Sequence, residues 1–599
     1  MGFMTPSPQP VEPSEFLALP LRERLRILTT HWAADGFGTP RVLHVVYVLK
    51  MLGLYFGVGI WIASMTSDIA FTDVSTWYND VVVYQKLAVW LMLLEVIGLG
   101  GAFGPLCGHF SPMIGNIRYW VRPGTIRMAP WGNRVPFTGG DERSIADVVL
   151  YLGVLASLVY PLLTQAEQVP TNLLPAGAGT QELIPPHAFI PVLVLMPLLG
   201  LRDKVIFLAG RSEQYLPIML FSALFGTINS PADFVDLVVV FKIVICVVWI
   251  GAGVSKLGEH FINVIPPMVS NSPGVPLAFK RLLYRRFPDD FRPSKVAWTL
   301  AHVGGTLVEL VLPITLLLAT NATIAALAAV GMLLFHIYIT STFPLAVPLE
   351  WNVFFGFIAI VLWIGFDPAT YNIWEFSQPL LLIPVFALLV FGPILGNLRP
   401  DLVSFLPSMR QYAGNWASAV WAMKPGIEER LNELPHVENQ LDQLQRMAPT
   451  PYERDDADMT LQKTIAWRAM HSQGRGLFSL LYTHLSDIDT RTVREGEIVC
   501  NAIVGFNFGD GHMHDARLVA AVQKRLQLEP GDLVVVWVES QPIHKKTQAY
   551  QVIDAALGVV ERGTWVVADC VNEQPWLPNR PVPLTTTWTA DGYVRQQTL

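Results

Sequence analysis

The chain contains a series of apolar runs long enough to cross a lipid bilayer, and this feature constrains its fold more than any other. A membrane-spanning helix needs about 17–25 predominantly apolar residues, because the hydrocarbon core offers no water to bond the backbone. The sequence therefore predicts a polytopic α-helical membrane protein with about ten transmembrane helices. The runs lie at 43–64, 86–104, 145–163, 236–257, 298–319, 322–343, 350–366 and 377–396, with two shorter ones at 186–201 and 214–228.

The positions of arginine and lysine predict the orientation of these spans. Basic residues concentrate before the first span, in the loop after the second span and in the loop 258–297. Because loops rich in Lys and Arg stay in the cytoplasm, we expect a multi-pass protein of the cell membrane with both termini cytoplasmic. Residues 186–228 are compatible with two short spans or with one span and a re-entrant segment. Neither Lys nor Arg occurs in the alternate loops 65–84, 164–185, 229–235 and 367–376.

Composition narrows the class of protein. With 52% hydrophobic and 15% charged residues, the chain is too apolar for a soluble protein of its size. The net charge of −7 gives no reason to expect a nucleic-acid partner. No two of the four cysteines form a C-x-x-C pair, so neither a zinc knuckle nor a disulfide framework is indicated. The N-terminal residues lack the layout of a cleaved signal peptide, so we expect the first apolar run to remain as a signal-anchor.

A change in composition near residue 400 divides the chain. We expect a cytoplasmic N-terminal segment (1–42), a transmembrane domain (43–397), a helical linker (398–460) and a soluble cytoplasmic α+β domain (461–599). In the last part, EIVCNAIVGFNF and DLVVVWVES are typical of strands, because β-branched and aromatic residues dominate them. HDARLVAAVQKRLQ has helical period, and QAYQVIDAALGVVERGTWVVADCV predicts a strand pair that turns at ERG.

Several ionisable side chains fall inside the predicted spans. Each costs on the order of 2.5–3.5 kcal/mol at the centre of a helix, so they rarely face lipid. Taken together they predict a polar cavity within the helix bundle. Taken singly, Glu309 is equally explained as the partner of a lysine, and His336 as a hydrogen-bonded core histidine. The set comprises Lys50, Glu95, Lys242, Glu309 and His336, with Lys256 at a helix end.

The stretch AGVSKLGEHF combines a base, an acid and an imidazole at the end of an apolar run. Lys256, Glu259 and His260 are spaced i, i+3 and i+4, which predicts that they share one helical face. A lysine in an apolar, dehydrated site favours its neutral form and is then a usable general base. Two alternatives stay open: Lys256 extends to the lipid headgroups as an anchor, or its neighbours hold it in a structural ion pair.

Three motifs in chain order resemble the membrane family of vitamin K-dependent gamma-glutamyl carboxylase and the bacterial HTTM proteins. AGVSKLGEHF is similar to that family's A-G-x-x-K-L helix end, LVELVLPITLLL to its acidic segment, and LFHIYITSTFPLAVPLEWNVFFGFIAI to its F-H segment. The resemblance covers about residues 236–366. It implies that Lys256 is the base of a hydroquinone-oxidising reaction, and it places Glu309 and His336 at the family's acidic and histidine positions. Nothing after residue 400 resembles the carboxylase, so kinship in fold is favoured over the same reaction.

The basic loop 105–143 is a candidate lipid-binding site. Its arginines are interleaved with aromatic residues, and guanidinium groups suit phosphate or carboxylate while tryptophan suits the membrane interface. The residues concerned are Arg118, Trp120, Arg122 and Arg127. The alternative is that these residues only set topology and anchor the loop.

A second candidate site lies in the soluble domain. FNFGDGHMHDARL places Asp510, His512 and His514 at a predicted strand-to-helix turn, and ESQPIHKK adds Glu539 and His544. We expect these histidines to converge in space, where they could serve acid–base work. The spacing matches no closed zinc pattern, so no metal is assigned. Asp515 and the neighbouring glycines are equally explained by a capped structural turn.

These features favour an integral membrane enzyme with an intramembrane polar pocket. Its substrate is expected to be lipid-soluble, such as a quinone or an isoprenoid, with general-base or redox chemistry at Lys256 and a quinone as the candidate cofactor. Expected partners are membrane lipids and a membrane-protein complex. The alternative is a non-enzymatic transport or scaffold subunit of a cell-envelope lipid complex, because intramembrane charges mark ion paths as readily as catalytic sites.

Overall fold

The computed structural model describes residues 2–99, 117–132, 134–342, 349–403, 413–447, 453–506 and 513–595. Within these ranges the chain forms a bundle of apolar helices followed by a mixed helix-and-sheet domain. Every predicted apolar run contains a helix. Among the described residues, six helices are long and apolar enough to cross a membrane: Arg41–Met65, Ile145–Leu163, Pro231–Ser255, Lys295–Leu318, Ala322–Thr342 and Pro379–Leu398. The other apolar helices are shorter: Val81–Val96, Pro186–Arg202, Ser212–Phe225 and Trp351–Gly365.

Pro231–Ser255 is the central helix of the bundle. Ser230 caps its N-terminus through the backbone N–H of Asp233, and Pro231 occupies the first turn, where no N–H donor is needed. Its most apolar window is 78% buried, whereas that of Pro379–Leu398 is 11% buried. A helix that is hydrophobic all round is stable in the centre of a bundle. Pro379–Leu398 therefore lies at the periphery, with its apolar side chains facing outward.

Two buried lysines bind backbone carbonyls at or just beyond the ends of neighbouring helices. The Lys86 ammonium donates to the carbonyl oxygens of Pro161 (2.9 Å), Leu162 (3.1 Å) and Thr164 (2.7 Å), where helix Ile145–Leu163 ends. Lys242 donates to the carbonyl of Tyr371 at 2.6 Å and lies 5.6 Å from the Trp363 ring. Helix C-termini favour cations. Lys242 is thus explained by structure, and the prediction that it contributes to a polar cavity is wrong.

The part of the chain from residue 413 onward, called the soluble domain below, is built on a six-stranded antiparallel sheet. The strands are β1 (Ser418–Met423), β2 (Thr492–Glu495), β3 (Leu533–Val538), β4 (Thr547–Asp554), β5 (Gly558–Val566) and β6 (Thr585–Thr589). Their order in the sheet is β6-β5-β4-β3-β1-β2. Every residue of β1 and β3 is buried, because helices cover both faces of the sheet. The helices are Ile427–Arg430, Gln440–Met447, Arg454–Met470, Ser472–His484, Gly496–Val504, Ala516–Leu526 and Val567–Asn572.

The sheet corrects three predictions. The predicted helical linker 398–460 contains β1, a central strand whose partners β2 and β3 follow much later in the chain. EIVCNAIVGFNF contains the helix Gly496–Val504, because Glu495 caps it and Gly505, at a φ of 88°, ends it. The strand pair β4–β5 turns after Asp554, ahead of the ERG that we expected to form the turn. The predicted strand in DLVVVWVES and the helix in HDARLVAAVQKRLQ are confirmed.

The N-terminal segment belongs to the soluble domain. Helix Leu21–Asp35 packs on Arg454–Met470, and Arg24 donates to the Gln462 side chain at 3.0 Å. On its other side Trp32 donates to the carbonyl of Pro267 at 2.9 Å. The apolar face of the predicted segment 1–42 is therefore buried against a helix that comes about 400 residues later in the chain.

Candidate functional site

A cavity lies where the central helix leaves the bundle and meets the soluble domain. The cavity volume available to the centres of water molecules is about 70 Å³, several times the volume that a single water requires. The wall is almost entirely apolar and aromatic, and its few polar groups come from four different helices. These groups belong to Lys256, Glu309, His336 and Asn352, among the apolar side chains of Val248, Trp249, Ala252, Phe261, Ile265, Met268, Leu300, Phe335, Ile339, Trp351 and Phe355.

Lys256 and Glu309 form a buried ion pair in this wall. Lys256 is the C-cap residue of Pro231–Ser255. Glu309 lies in the first turn of Val308–Leu318, the α-helical part of the next spanning helix. The two helices approach closely because Gly253 has no side chain: a Cβ there would lie 2.8 Å from the Leu310 side chain. Only 6% of each charged side chain is exposed. The predicted pairing of Glu309 with a lysine is thus the contact that the structure shows.

The helix that carries Glu309 is irregular on both sides of it. Leu300–Leu307 is wound as a π-helix, a form that is rare and often occurs at functional sites. Pro313 follows four residues after Glu309 and has no N–H, so it cannot bond the Glu309 carbonyl. Glu309 therefore lies between a π-helical segment and a proline, where the regular α-helical backbone bonding is interrupted on both sides.

Aromatic rings surround the Lys256 ammonium. It lies 5.4 Å from the centre of the Phe261 ring and 5.9 Å from that of Phe335, within the range of a cation–π contact. Gly305 makes room for Phe261, because a Cβ at that position would lie 2.9 Å from the ring. The cation is therefore held by one carboxylate and two ring faces.

His336 is held in one tautomer by its neighbours. Trp249 can only donate, and its indole N–H bonds the His336 Nε2 at 2.9 Å. The His336 Nδ1 must then carry the proton, which it donates to the Asn352 Oδ1 at 2.8 Å. Both ring nitrogens are engaged, so His336 positions Trp249 and Asn352 in the cavity wall and does not act as a free base.

One known protein family matches nearly the whole chain. A family model described as transmembrane protein of unknown function (DUF3556) matches residues 1–587. The chain belongs to the DUF3556 family. No curated protein and no solved structure matches it. The motifs' resemblance to the carboxylase-like family stays a prediction, since the matched family is described without an activity.

The prediction that Glu259 and His260 share a face with Lys256 is wrong in this DUF3556 chain. The helix ends at Ser255, and Glu259–Asn263 is a separate 3₁₀ helix after Gly258. Glu259 instead binds Lys546 of the soluble domain at 2.9 Å. The i, i+3 and i+4 spacing places side chains on one face only within a continuous helix. Because the helix ends before Lys256, neither side chain orients it.

His260 joins the cavity segment to the soluble domain. Its Nε2 donates to the Gln541 amide oxygen at 2.9 Å, and its Nδ1 lies 2.7 Å from the Ser472 hydroxyl. Burial is the main cause that lowers the pKa of His260 to about 4. The imidazole is therefore neutral at physiological pH and serves as a hydrogen-bonded connector.

The basic loop after the second span contacts the soluble domain, and two members of its predicted headgroup site, Trp120 and Arg127, are buried and bound by protein. Trp120 is buried, and its indole N–H donates to the Val504 carbonyl at 3.3 Å. Arg127 is also buried and donates to the carbonyls of Thr138 and Glu142 at 3.0 and 2.9 Å.

The two remaining arginines of that loop differ in environment. Arg122 lies 3.0 Å from the His436 ring nitrogen on the soluble domain. Arg118 is exposed. Nearby, Asp141 of the same loop pairs with Lys524 at 2.9 Å and Arg525 at 2.6 Å. The loop's charge thus serves contacts between the two parts of the protein.

The second candidate site is only partly visible. Asp510 and His512 lie outside the described residues. His514 is buried, whereas His544 is exposed, and Glu539 accepts from the Ser540 hydroxyl at 2.8 Å. In the described ranges no group of three or more His, Cys, Asp or Glu is placed to hold a metal ion.

Carboxylates from both motifs act on Lys204, whereas the convergence of the three histidines stays a prediction. Burial lowers the pKa of Lys204 to about 7, and the charges of Asp515 and Glu539 both act on this lysine in the opposite direction. The ends of the two motifs therefore lie near one residue of the membrane domain.

Sequence reasoning missed the aromatic and amide residues of the cavity. Trp249 lies seven residues before Lys256, two helical turns away and on the same face, which is a spacing the sequence shows. Asn352 is a lone amide at the start of an apolar helix. Phe261 carries no such signal, because the turn after Ser255 places its ring.

Proposed function

We propose that this chain is a membrane enzyme whose cavity binds the polar head of a lipid-soluble molecule at the Lys256–Glu309 pair. The observation that carries the proposal is that an acid and a base from two spanning helices meet in the wall of an otherwise apolar, aromatic cavity. Such a pair is costly to bury, and replacing it with apolar residues is often neutral or stabilising. A role in binding or chemistry explains why it is present.

The pair provides the parts for general-base chemistry. Transfer of a proton from Lys256 to Glu309 leaves a neutral amine beside an uncharged carboxylic acid, and a neutral amine accepts protons from a bound substrate. The resemblance to the carboxylase-like family supports the same role for Lys256. His336 fixes Trp249 and Asn352 in the cavity wall by hydrogen bonds, so the substrate meets a preorganised site.

The cavity supports a quinone or isoprenoid head as the substrate class. Its volume accommodates a head group and not a whole lipid, so the remainder must leave the cavity. Tyr338, another lining residue, is 38% exposed on a spanning helix, where the wall meets the lipid-facing surface. An apolar tail is expected to extend into the bilayer there.

Mass spectrometry of lipid extracts from the purified chain tests whether the cavity is occupied. We expect one lipid-soluble species enriched over the bulk membrane extract, and we expect Ala252→Phe, which fills the cavity, to remove it. Leu327→Phe introduces the same side chain outside the cavity, at a position that is 70% exposed on a spanning helix, so it is the control. Equal amounts of the species in wild type and Ala252→Phe would sink the proposal.

Lys256→Arg separates the enzyme from a transport or scaffold subunit. A guanidinium keeps the ion pair but does not deprotonate in proteins, so it cannot act as a base. We expect the variant to fold and to retain a bound molecule that differs in mass from the wild-type species, because its conversion stops. If both proteins hold the same molecule, the site binds without catalysis and the scaffold alternative stands.

We also propose that ten helices cross the membrane and that both termini are cytoplasmic. In support, the soluble domain is bound by the N-terminal helix, by the loop after the second helix and by the segment 258–297. These three are the basic segments of the membrane domain. The acidic loops contact one another at the other end of the bundle, where Asp68 bonds Glu182 through its backbone N–H at 2.8 Å.

Cysteine labelling in intact cells checks this topology. Asn172→Cys and Lys545→Cys both place a thiol at an exposed position, and the described native cysteines are buried. A membrane-impermeant maleimide is expected to label Asn172→Cys in intact cells, and Lys545→Cys only after permeabilisation. Labelling of Lys545→Cys from outside would overturn the orientation.

A further inference from the structure

A short amphipathic segment lies at the foot of the spanning helix Lys295–Leu318. It consists of the helix Leu277–Leu282 and a two-stranded ribbon, Tyr284–Arg286 with Asp290–Pro293. Lys280 anchors it, because its buried ammonium donates to the carbonyls of Ser270 at 2.6 Å and Ala34 at 3.1 Å. With the lysine directed inward, the rest of the helix is presented outward.

The segment is fastened to the point where the chain begins its span. Ser294, the N-cap of the spanning helix, donates its N–H to the Leu283 carbonyl at 2.9 Å and its hydroxyl to the Leu282 carbonyl at 2.5 Å. Leu282 therefore lies beside the first residues of the span. This fixes the helix at the level of the membrane surface.

The outward face combines apolar and basic side chains. Leu277, Phe279 and Leu282 are 41%, 38% and 55% exposed, and Trp298 of the spanning helix is 51% exposed. Arg281, Arg285, Arg286 and Lys295 are exposed among them. Residues 277–298 contain six basic and two acidic side chains. Both acids are engaged within the segment, Asp290 by Arg292 at 2.9 Å and Asp289 by Arg286 at 3.4 Å.

We propose that residues 277–298 form a platform that binds the headgroups of anionic membrane lipids. The apolar side chains enter the boundary between headgroups and acyl chains, and the arginines pair with lipid phosphates above it. Basic residues with interleaved apolar and aromatic side chains bind anionic bilayer surfaces in this way. The platform is distinct from the basic loop after the second span, whose Trp120 and Arg127 are buried.

Position and charge favour a membrane as the occupant over a protein. The face continues from a helix long and apolar enough to span the bilayer, so the bilayer surface is already beside it. Its charge is complementary to an anionic leaflet, which lies on the cytoplasmic side where basic loops are retained. The platform is independent of the cavity, and it holds whether or not Lys256 is catalytic.

Native mass spectrometry of the full-length protein, titrated in detergent with phosphatidylglycerol or phosphatidylcholine, tests the platform. Each basic residue near an anionic surface contributes about 1 kcal/mol, so the triple variant Arg281→Gln, Arg285→Gln, Arg286→Gln is expected to lose about 100-fold in preference for phosphatidylglycerol. The control removes three exposed arginines of the soluble domain, Arg446→Gln, Arg454→Gln and Arg562→Gln, and is expected to keep the wild-type preference.

An unchanged preference in the platform variant, or an equal loss in the control, would overturn the proposal. Higher ionic strength must also weaken the wild-type preference, since exposed charges are screened. Binding that resists salt, or a protein found bound at this face in place of lipid, contradicts the platform. The substituted side chains are all exposed, so the variants are expected to melt at the wild-type temperature.

Discussion

Glu309→Gln is expected to destabilise the chain by about 3–5 kcal/mol, because it leaves the Lys256 charge buried without a counter-ion. The cavity wall offers two ring faces to this ammonium, at 5.4 and 5.9 Å, and these do not replace a carboxylate. The measurement is thermal unfolding of the detergent-purified protein, followed by tryptophan fluorescence.

The double variant Lys256→Met, Glu309→Leu distinguishes a lost partner from general disruption. It removes both charges and fills similar volume, so it is expected to recover most of the stability. Glu259→Gln is the matched control, since this carboxylate pairs with Lys546 while 39% exposed and is worth at most about 1 kcal/mol. If Glu309→Gln melts like Glu259→Gln, the pair is not the buried contact described above.

Glu561→Gln is expected to have an effect of the same size in the soluble domain. The Glu561 carboxylate is fully buried in β5 and accepts from His484 at 3.0 Å, Tyr550 at 2.7 Å and Arg595 at 2.7 Å. The substitution removes the negative charge that pairs with Arg595. It also places the glutamine NH₂ group, a hydrogen-bond donor, against the donor groups of the neighbouring side chains. The expected cost is about 3–5 kcal/mol. The measurement is the decrease in the melting temperature of the full chain. The control is Glu433→Gln, which removes an exposed ion pair with Arg430.

The same cluster predicts sensitivity to acid. Burial by itself would raise the pKa of Glu561, but the hydrogen bonds from His484, Arg595 and Tyr550 outweigh it and lower the pKa to about 2. The folded state therefore holds the carboxylate ionised where the unfolded chain is protonated. Its contribution is complete above pH about 4.5 and is lost as the pH falls toward 2. Unfolding temperatures of wild type and Glu561→Gln should converge across that window.

The positions of the apolar helices could be predicted from the sequence because the bilayer imposes a local rule. Each run must satisfy its own backbone within about 20 residues, so its length and composition are sufficient. Lys86 and Lys242 show the limit of this reasoning. Their ammonium groups bond backbone carbonyls that are distant in the chain, and no pattern around a lysine identifies such partners.

The helices and strands of the soluble domain could be predicted only where the local sequence favours a single type of secondary structure. Ala516–Leu526 and β3 have one clear period each, and both are confirmed. β1 looked like part of a linker, because SAVWAM is short and follows no partner strand in the sequence. Its place between β2 and β3 is decided by contacts with strands more than 60 residues away. Likewise, Gly496–Val504 has strand-forming residues, but a cap at Glu495 and a left-handed Gly505 make it a helix.

For the candidate site, the sequence by itself determined which charges are too costly to face lipid, and it selected Lys256, Glu309 and His336. Only the tertiary structure decided how they are used. Gly253 brings two helices together and pairs the lysine with Glu309, while the helix end at Ser255 turns Glu259 and His260 toward the soluble domain. The physical reason is that the cost of burying a charge depends on the residue and its own apolar segment. The partner of that residue, in contrast, is determined by how the helices pack against one another.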